Sequence, residues 1–329
     1  MAMERTLRYV GGTGLMVALV LILGSGGDAL GGRRPAHPLQ LEPLAPYVVS
    51  EVFDSSELDP SDLGAGVDQL TFWAGLEIAD DGGIYALYEG GDSTDVVTLD
   101  GGGSLPRERF TGVARWSGTD LELVSETSYT YAADDGEVYD FENYQGEYVY
   151  AFDVVPTITS SASGPLAGGD VVILRWLADD PATTVVGDDI AQLVRLRPII
   201  QAGVFTGFDT EVVLHAFPQP GAYGGRVKAD GLGNLYVWIP EAELNQDNHV
   251  EHEFWLLSPD GSGGLTMTDI LPTDFTLEGW IEADDAGNLY ALGADWGDDS
   301  GTIFQRDTSG VWSTYASFSQ KCCIEAFEG

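Results

Sequence analysis

Oxygen-bearing side chains crowd two stretches of this sequence closely enough to do chemistry. In Asp295-Trp-Gly-Asp298-Asp299-Ser300-Gly301, three carboxylates and a hydroxyl fall within six residues. Such loops offer the hard oxygen ligands that Ca²⁺ or another divalent cation takes. Asp295, Asp298 and Asp299 are therefore the candidate metal ligands, although their spacing is not that of an Asp-x-Asp-x-Asp-Gly loop with a Glu at its twelfth position. A solvated acidic loop is the plainer reading of the same residues. The second stretch, Asn245-Gln-Asp247-Asn-His249-Val-Glu251-His252-Glu253, holds two of the four histidines. In an extended chain His249, Glu251 and Glu253 share one side and His252 takes the other, so the two imidazoles do not meet on one metal. Cys322 and Cys323 are adjacent, too close in the chain for an ordinary disulfide between them, which leaves pairing with a cysteine elsewhere. No Ser-His-Asp arrangement, Gly-rich phosphate loop or zinc spacing is present. Catalytic residues stay unassigned, and a binding role is favoured over an enzymatic one.

The charge balance narrows the partners. The 329 residues carry 53 acidic against 14 basic side chains, a net charge of -39. Such a chain repels the phosphate backbone of nucleic acids and the anionic face of a membrane. What remains is a protein, glycan or small-molecule ligand that is neutral or cationic. The chain is 44% apolar and has eight Trp, 14 Tyr and 13 Phe, enough to offset the entropy of ordering it, so disorder is excluded. Lys228 and Lys321 are its only lysines. Scarce lysine with abundant Asp and Glu fits a protein built for high salt, where screening removes self-repulsion; an acidic composition without that adaptation is the alternative. On the first reading the melting temperature rises between about 0.1 and 2 M NaCl; an unchanged value supports the second.

Arg5 and Arg8 precede the unbroken apolar run Leu15-Met16-Val17-Ala18-Leu19-Val20-Leu21-Ile22-Leu23, which gives way to small residues at Gly24-Ser25-Gly26-Gly27. Residues 1–30 read as a secretory signal peptide, because the run is about half of the roughly 20 residues that a bilayer span needs. Export to the extracellular space or periplasm is expected, with no membrane insertion after cleavage. Residues 31–46, with Pro35, Pro38, Pro43 and Pro46, read as an extended linker.

The elements that would position any site come from a repeat. Its clearest copies are Gly75-Leu-Glu-Ile-Ala-Asp80-Asp-Gly-Gly-Ile-Tyr85, Gly225-Arg-Val-Lys-Ala-Asp230-Gly-Leu-Gly-Asn-Leu-Tyr236 and Gly279-Trp-Ile-Glu-Ala-Asp284-Asp-Ala-Gly-Asn-Leu-Tyr290. Weaker copies start at Ala133-Asp134 and Ala178-Asp179, so the aspartates are spaced by 54, 45, 51 and 54 residues. Each copy alternates apolar and polar residues, turns on Asp and Gly, and runs back toward a Tyr, which is the pattern of a β-hairpin. The turn aspartates are expected to cap hairpins rather than to form a carboxylate ring. Three to four short strands per period of about 50 residues, with no convincing helix after residue 30, predict an all-β chain of propeller blades, about five present of a probable six.

The pattern Gly-x-x-x-Ala-Asp-x-x-Gly-Asn-Leu-Tyr-Val resembles the repeat of the NHL and gluconolactonase/regucalcin-like six-bladed β-propellers over residues 70–329. The resemblance implies a ring of blades, and for the gluconolactonase-like enzymes a divalent cation held at the channel mouth by a Glu, two Asn and an Asp. Glu278-Gly279 and Glu328-Gly329 faintly echo that family's Glu-Gly, but without the Pro and Trp that follow it, and Asn234 and Asn288 belong to turns. A metal-dependent lactonase or related hydrolase is thus the alternative to a binding module. The propeller is expected to span residues 47–329, with Tyr47 to Phe53 as an outer closing strand. The repeat phase at Gly329 implies that the sequence stops at the start of a sixth blade, so that the chain alone would be prone to aggregate.

Overall fold

The computed structural model describes residues 7–8, 19–20, 69–92, 94, 96–98, 104–116, 121–131, 144–160, 163–177, 190–202, 204–218, 225–244, 250–272, 276–294 and 301–318. The described part of the chain is all-β. Two residue pairs near the start, β1 (Leu7–Arg8) and β2 (Leu19–Val20), are antiparallel partners. The signal peptide otherwise lies outside the described residues, as do the linker, Tyr47 to Phe53, His249, Cys322 and Cys323.

From Gln69 onward the strands run as antiparallel meanders of four. The first unit is β3 (Gln69–Ile78) and β4 (Ile84–Gly91), then, after a small hairpin of β5 (Val96–Thr98) and β6 (Ser104–Pro106), β7 (Glu108–Trp116) and β8 (Leu121–Tyr131). The second is β9 (Tyr144–Val154), β10 (Val171–Leu177), β11 (Ile190–Leu196) and, beyond a hairpin of β12 (Pro198–Gln201) and β13 (Val204–Phe208), β14 (Val212–Pro218). These two units form one eight-stranded sheet, because the end of β8 pairs with the start of β9 at Tyr129, Thr130 and Tyr131. The third unit is β15 (Arg226–Ala229), β16 (Leu235–Leu244), β17 (Val250–Pro259) and β18 (Leu265–Asp269). The fourth is β19 (Thr276–Ala283), β20 (Leu289–Ala294), β21 (Gly301–Arg306) and β22 (Trp312–Phe318).

Strand alternation stacks these units in chain order. Successive side chains of a strand point to opposite faces, so a buried strand serves two cores at once. In β10, Val171 and Ile173 join Tyr85, Leu87 and Val113 of the first unit, while Val172 and Leu174 join Val227, Leu235 and Val237 of the third. In β16, Leu235, Val237 and Ile239 face the second unit, and Tyr236 and Trp238 pack with Leu277, Ile281 and Leu289 of the fourth. Three cores therefore alternate with four units, an arrangement compatible with a β-propeller.

The number of described units is four, and the two weak repeat copies do not head them. Asp134 and Asp179 fall outside the described residues, in the β8–β9 and β10–β11 connections. The second unit has its own copy of the repeat turn, which sequence spacing concealed. Val155 N–H donates to Asp170 O at 2.8 Å and Gly169 N–H to Val155 O at 2.8 Å. The same pair of bonds links Asp230 with Asn234 and Gly233, and Asp284 with Asn288 and Gly287. A segment inserted between Val155 and Gly169 separates the two halves of the motif. Arg197 fixes it by binding both oxygens of the buried Asp170 at 2.7 Å, a bidentate pair of the strong kind.

Candidate functional site

One end of the sheets is built from a single turn used repeatedly. In Asp230-Gly-Leu-Gly-Asn234, Oδ1 of Asp230 accepts the N–H groups of Leu232 and Asn234, both at 2.9 Å. Its Oδ2 accepts Asn234 Nδ2 at 2.8 Å and lies 3.1 Å from the Tyr236 hydroxyl. Gly233 supplies the left-handed backbone, φ 84°, that closes the hairpin. Asp284 repeats the scheme with Ala286, Asn288 and Tyr290. The outer hairpins use it too. Asp260 Oδ1 accepts N–H of Ser262 and Gly264, and Asp307 Oδ1 those of Ser309 and Val311. Hydrogen bonds from the Ser262 and Gly264 backbone hold Asp260 below the usual carboxylate range, and the Ser309 hydroxyl does the same for Asp307.

The first unit departs from this scheme by one residue. Ala79, not Asp80, occupies the place of Asp230, since Ala79 N–H bonds Gly83 O and Gly82 N–H bonds Ala79 O. The expected capping role therefore holds at Asp230 and Asp284 and shifts at the first copy. Gly75, at φ 60°, takes up the extra residue where the β3–β4 register slips. Asp81 substitutes as the cap, accepting Gly83 N–H at 2.9 Å. Its other oxygen takes Arg115 at 3.0 Å, and that buried guanidinium also bonds Glu122 at 3.1 Å and stacks 4.3 Å over the Phe205 ring of the second unit.

Adjacent turns are tied to one another. Thr157 Oγ1 donates to Asp80, joining the second unit to the first. Thr159 N–H donates to Gly231 O at 2.7 Å, joining the second to the third. The Tyr236 hydroxyl lies 3.2 Å from Gly287 O, joining the third to the fourth. Gly231 sits so close to the next turn that an added Cβ would stand 2.4 Å from Asp285 O. Asp80, Asp81, Asp260 and Asp285 project from this end into solvent.

Two residues before each inner turn, the leading strands of all four units converge. Glu77, Asp153, Lys228 and Glu282 are equivalent by register, facing Tyr85, Val172, Tyr236 and Tyr290 on their partner strands. Lys228 Nζ bonds Glu77 Oε1, and lies 3.3 Å from Glu282 Oε2 and 3.6 Å from Asp153 Oδ1. Asp153 Oδ2 accepts Ala229 N–H at 2.6 Å. Burial alone would lower the Lys228 ammonium, but the attraction of Asp153, Glu77 and Glu282 overrides it and raises the group well above the ordinary lysine value. Burial pushes the Asp153 and Glu282 carboxyls up, against the pull of Lys228.

No family model and no curated protein matches the chain. Its site has to be read from geometry. The Lys228 cluster draws carboxylates from three units, but the cation among them is the chain's own ammonium. Asn234 and Asn288 donate their amide N–H groups to Asp230 and Asp284, which makes them part of the turns themselves. Asp295, Asp298 and Asp299 lie outside the described residues, and among the described residues no group of three or more His, Cys, Asp or Glu is arranged to hold a metal. Glu251, His252 and Glu253 fall on β17, and Glu253 accepts Trp255 Nε1 at 2.9 Å. Sequence reading missed Lys228. The available signal was a charged residue two places before the turn, Glu77, Lys228 and Glu282, in each sharp copy.

Proposed function

We propose that this protein is a secreted β-propeller-like binding module that captures a cationic partner on the turn-bearing end of its sheets. The observation that carries this reading is the repeated turn. It places Asp80, Asp81, Asp260 and Asp285 in solvent on a frame whose own hydrogen bonds are already satisfied within and between turns. Rigid, pre-formed carboxylates lose little freedom on binding and steer an oppositely charged partner. The three converging carboxylates are engaged by Lys228, which weighs against the lactonase-like alternative, since that chemistry needs converging oxygens open to a catalytic cation.

The test compares two double substitutions of equal charge using a ten-residue lysine peptide as the probe, at about 0.15 M salt. Asp260→Asn with Asp285→Asn alters the turn end, and Asp92→Asn with Glu108→Gln alters the opposite end. The turn-end pair is expected to weaken binding several-fold more. Equal losses would reduce the effect to net charge and overturn the assignment of the face.

A further inference from the structure

The axial cluster gathers more negative charge than its one cation neutralises. Three carboxylates, each from a different unit, meet a single ammonium from the remaining one. Asp153 is 6% exposed and Lys228 14%, while Glu77 is 26% and Glu282 47%, so water screens the inner pair least. Excess like charge in a poorly solvated place is relieved most cheaply by binding a proton. The charged groups that act on Asp153 are Glu77 on β3, Lys228 on β15 and Glu282 on β19, and those acting on Glu282 are Lys228 and Glu77.

We propose that the cluster of Glu77, Asp153, Lys228 and Glu282 is a pH-sensitive clasp, which takes up a proton on mild acidification and then ties the four units together more tightly at the axis. This inference rests on the axial geometry and is independent of what the turn end binds. The direction follows from linkage. The Asp153 and Glu282 carboxyls have raised values in the folded state, so their contribution is fully present below the unfolded values of 3.8 and 4.5 and is lost as pH rises through the folded ones. Lys228 acts on the alkaline side, where its contribution is fully present below 10.5 and is lost as pH rises through its own raised value. Asp92, Asp260 and Asp307 run the other way, because their lowered values cost stability only in stronger acid, below 3.8.

Urea unfolding of the full chain between about pH 4.5 and 8, in about 1 M NaCl to screen the surface charge, tests the clasp. The wild-type folding constant is expected to fall by up to about tenfold per pH unit for each proton released as pH rises. Asp153→Asn combined with Glu282→Gln fixes both groups in a neutral form and is expected to flatten that slope. An unchanged slope in the double variant would overturn the proposal. Should the double variant fail to fold, the ¹³C titration of the Asp153 carboxyl in the wild type decides. A midpoint above the ordinary aspartate value supports the clasp, and a midpoint at or below it removes it.

Discussion

Replacing Lys228 with Met is expected to destabilise the protein by about 3 kcal/mol at neutral pH, chiefly the cost of leaving the buried Asp153 carboxylate without its counter-ion. Met fills much of the space of the lysine stem, so the loss is electrostatic rather than a cavity. It removes the only cation from a group in which Glu77, Asp153 and Glu282 approach one ammonium. Against a typical domain stability of about 5–15 kcal/mol this is a large fraction. The same variant is expected to recover much of the loss on acidification, because Asp153 and Glu282 deprived of Lys228 are raised further and take protons sooner. Urea unfolding at two pH values measures both effects. A Lys228→Met protein as stable as wild type at neutral pH would show that the axial contacts carry no net energy.

Asp230→Ala is the second large effect, expected at about 3 kcal/mol or more. The side chain is fully buried and serves Leu232, Asn234 and Tyr236 at once. Alanine leaves the Leu232 and Asn234 donors without their buried acceptor, while the Tyr236 hydroxyl keeps Gly287 O, and an unmade bond costs more than a made one contributes. Asp230→Asn retains an oxygen for the two backbone N–H groups and loses only the second acceptor, so it should fall between wild type and Ala. Asp307→Ala provides the contrast. The same turn geometry faces solvent there, and water can replace the carboxylate. A loss at Asp307 equal to that at Asp230 would mean that the bonds themselves, rather than their burial, set the energy.

Much of the architecture was legible because short-range patterns dictate it. Alternation in Leu76-Glu77-Ile78-Ala79 and the Asp and Gly residues of the turns give hairpins at residues 69–91, 226–244 and 276–294, with Tyr85, Tyr236 and Tyr290 on the second strand of each. Phase was harder to read. The extra residue at Gly75 made Asp80 look like the partner of Asp230, whereas the hydrogen bonds match Ala79 to it. The second unit stayed hidden because the segment between Val155 and Gly169 splits its turn, and Val172 replaces the tyrosine. The outer turns at Asp260 and Asp307 have the same Asp-x-x-Gly spelling and were readable in principle. The axial cluster was not. Lys228 lies 151 residues from Glu77 in the chain, and only the stacking of four units brings the members together.

The central claim, that the leading strands of four units meet at Lys228, can be tested by zero-length carbodiimide coupling of the folded protein followed by peptide mass spectrometry. Lys228, Lys321 and the α-amine are the only primary amines, so every internal amide can be assigned to one of three origins. Lys228 should be found joined to Glu77, Glu282 or Asp153, and only when the protein is coupled before unfolding. Lys228 joined to other carboxylates, or left free in folded protein and open to acylation, would contradict the convergence of the four strands.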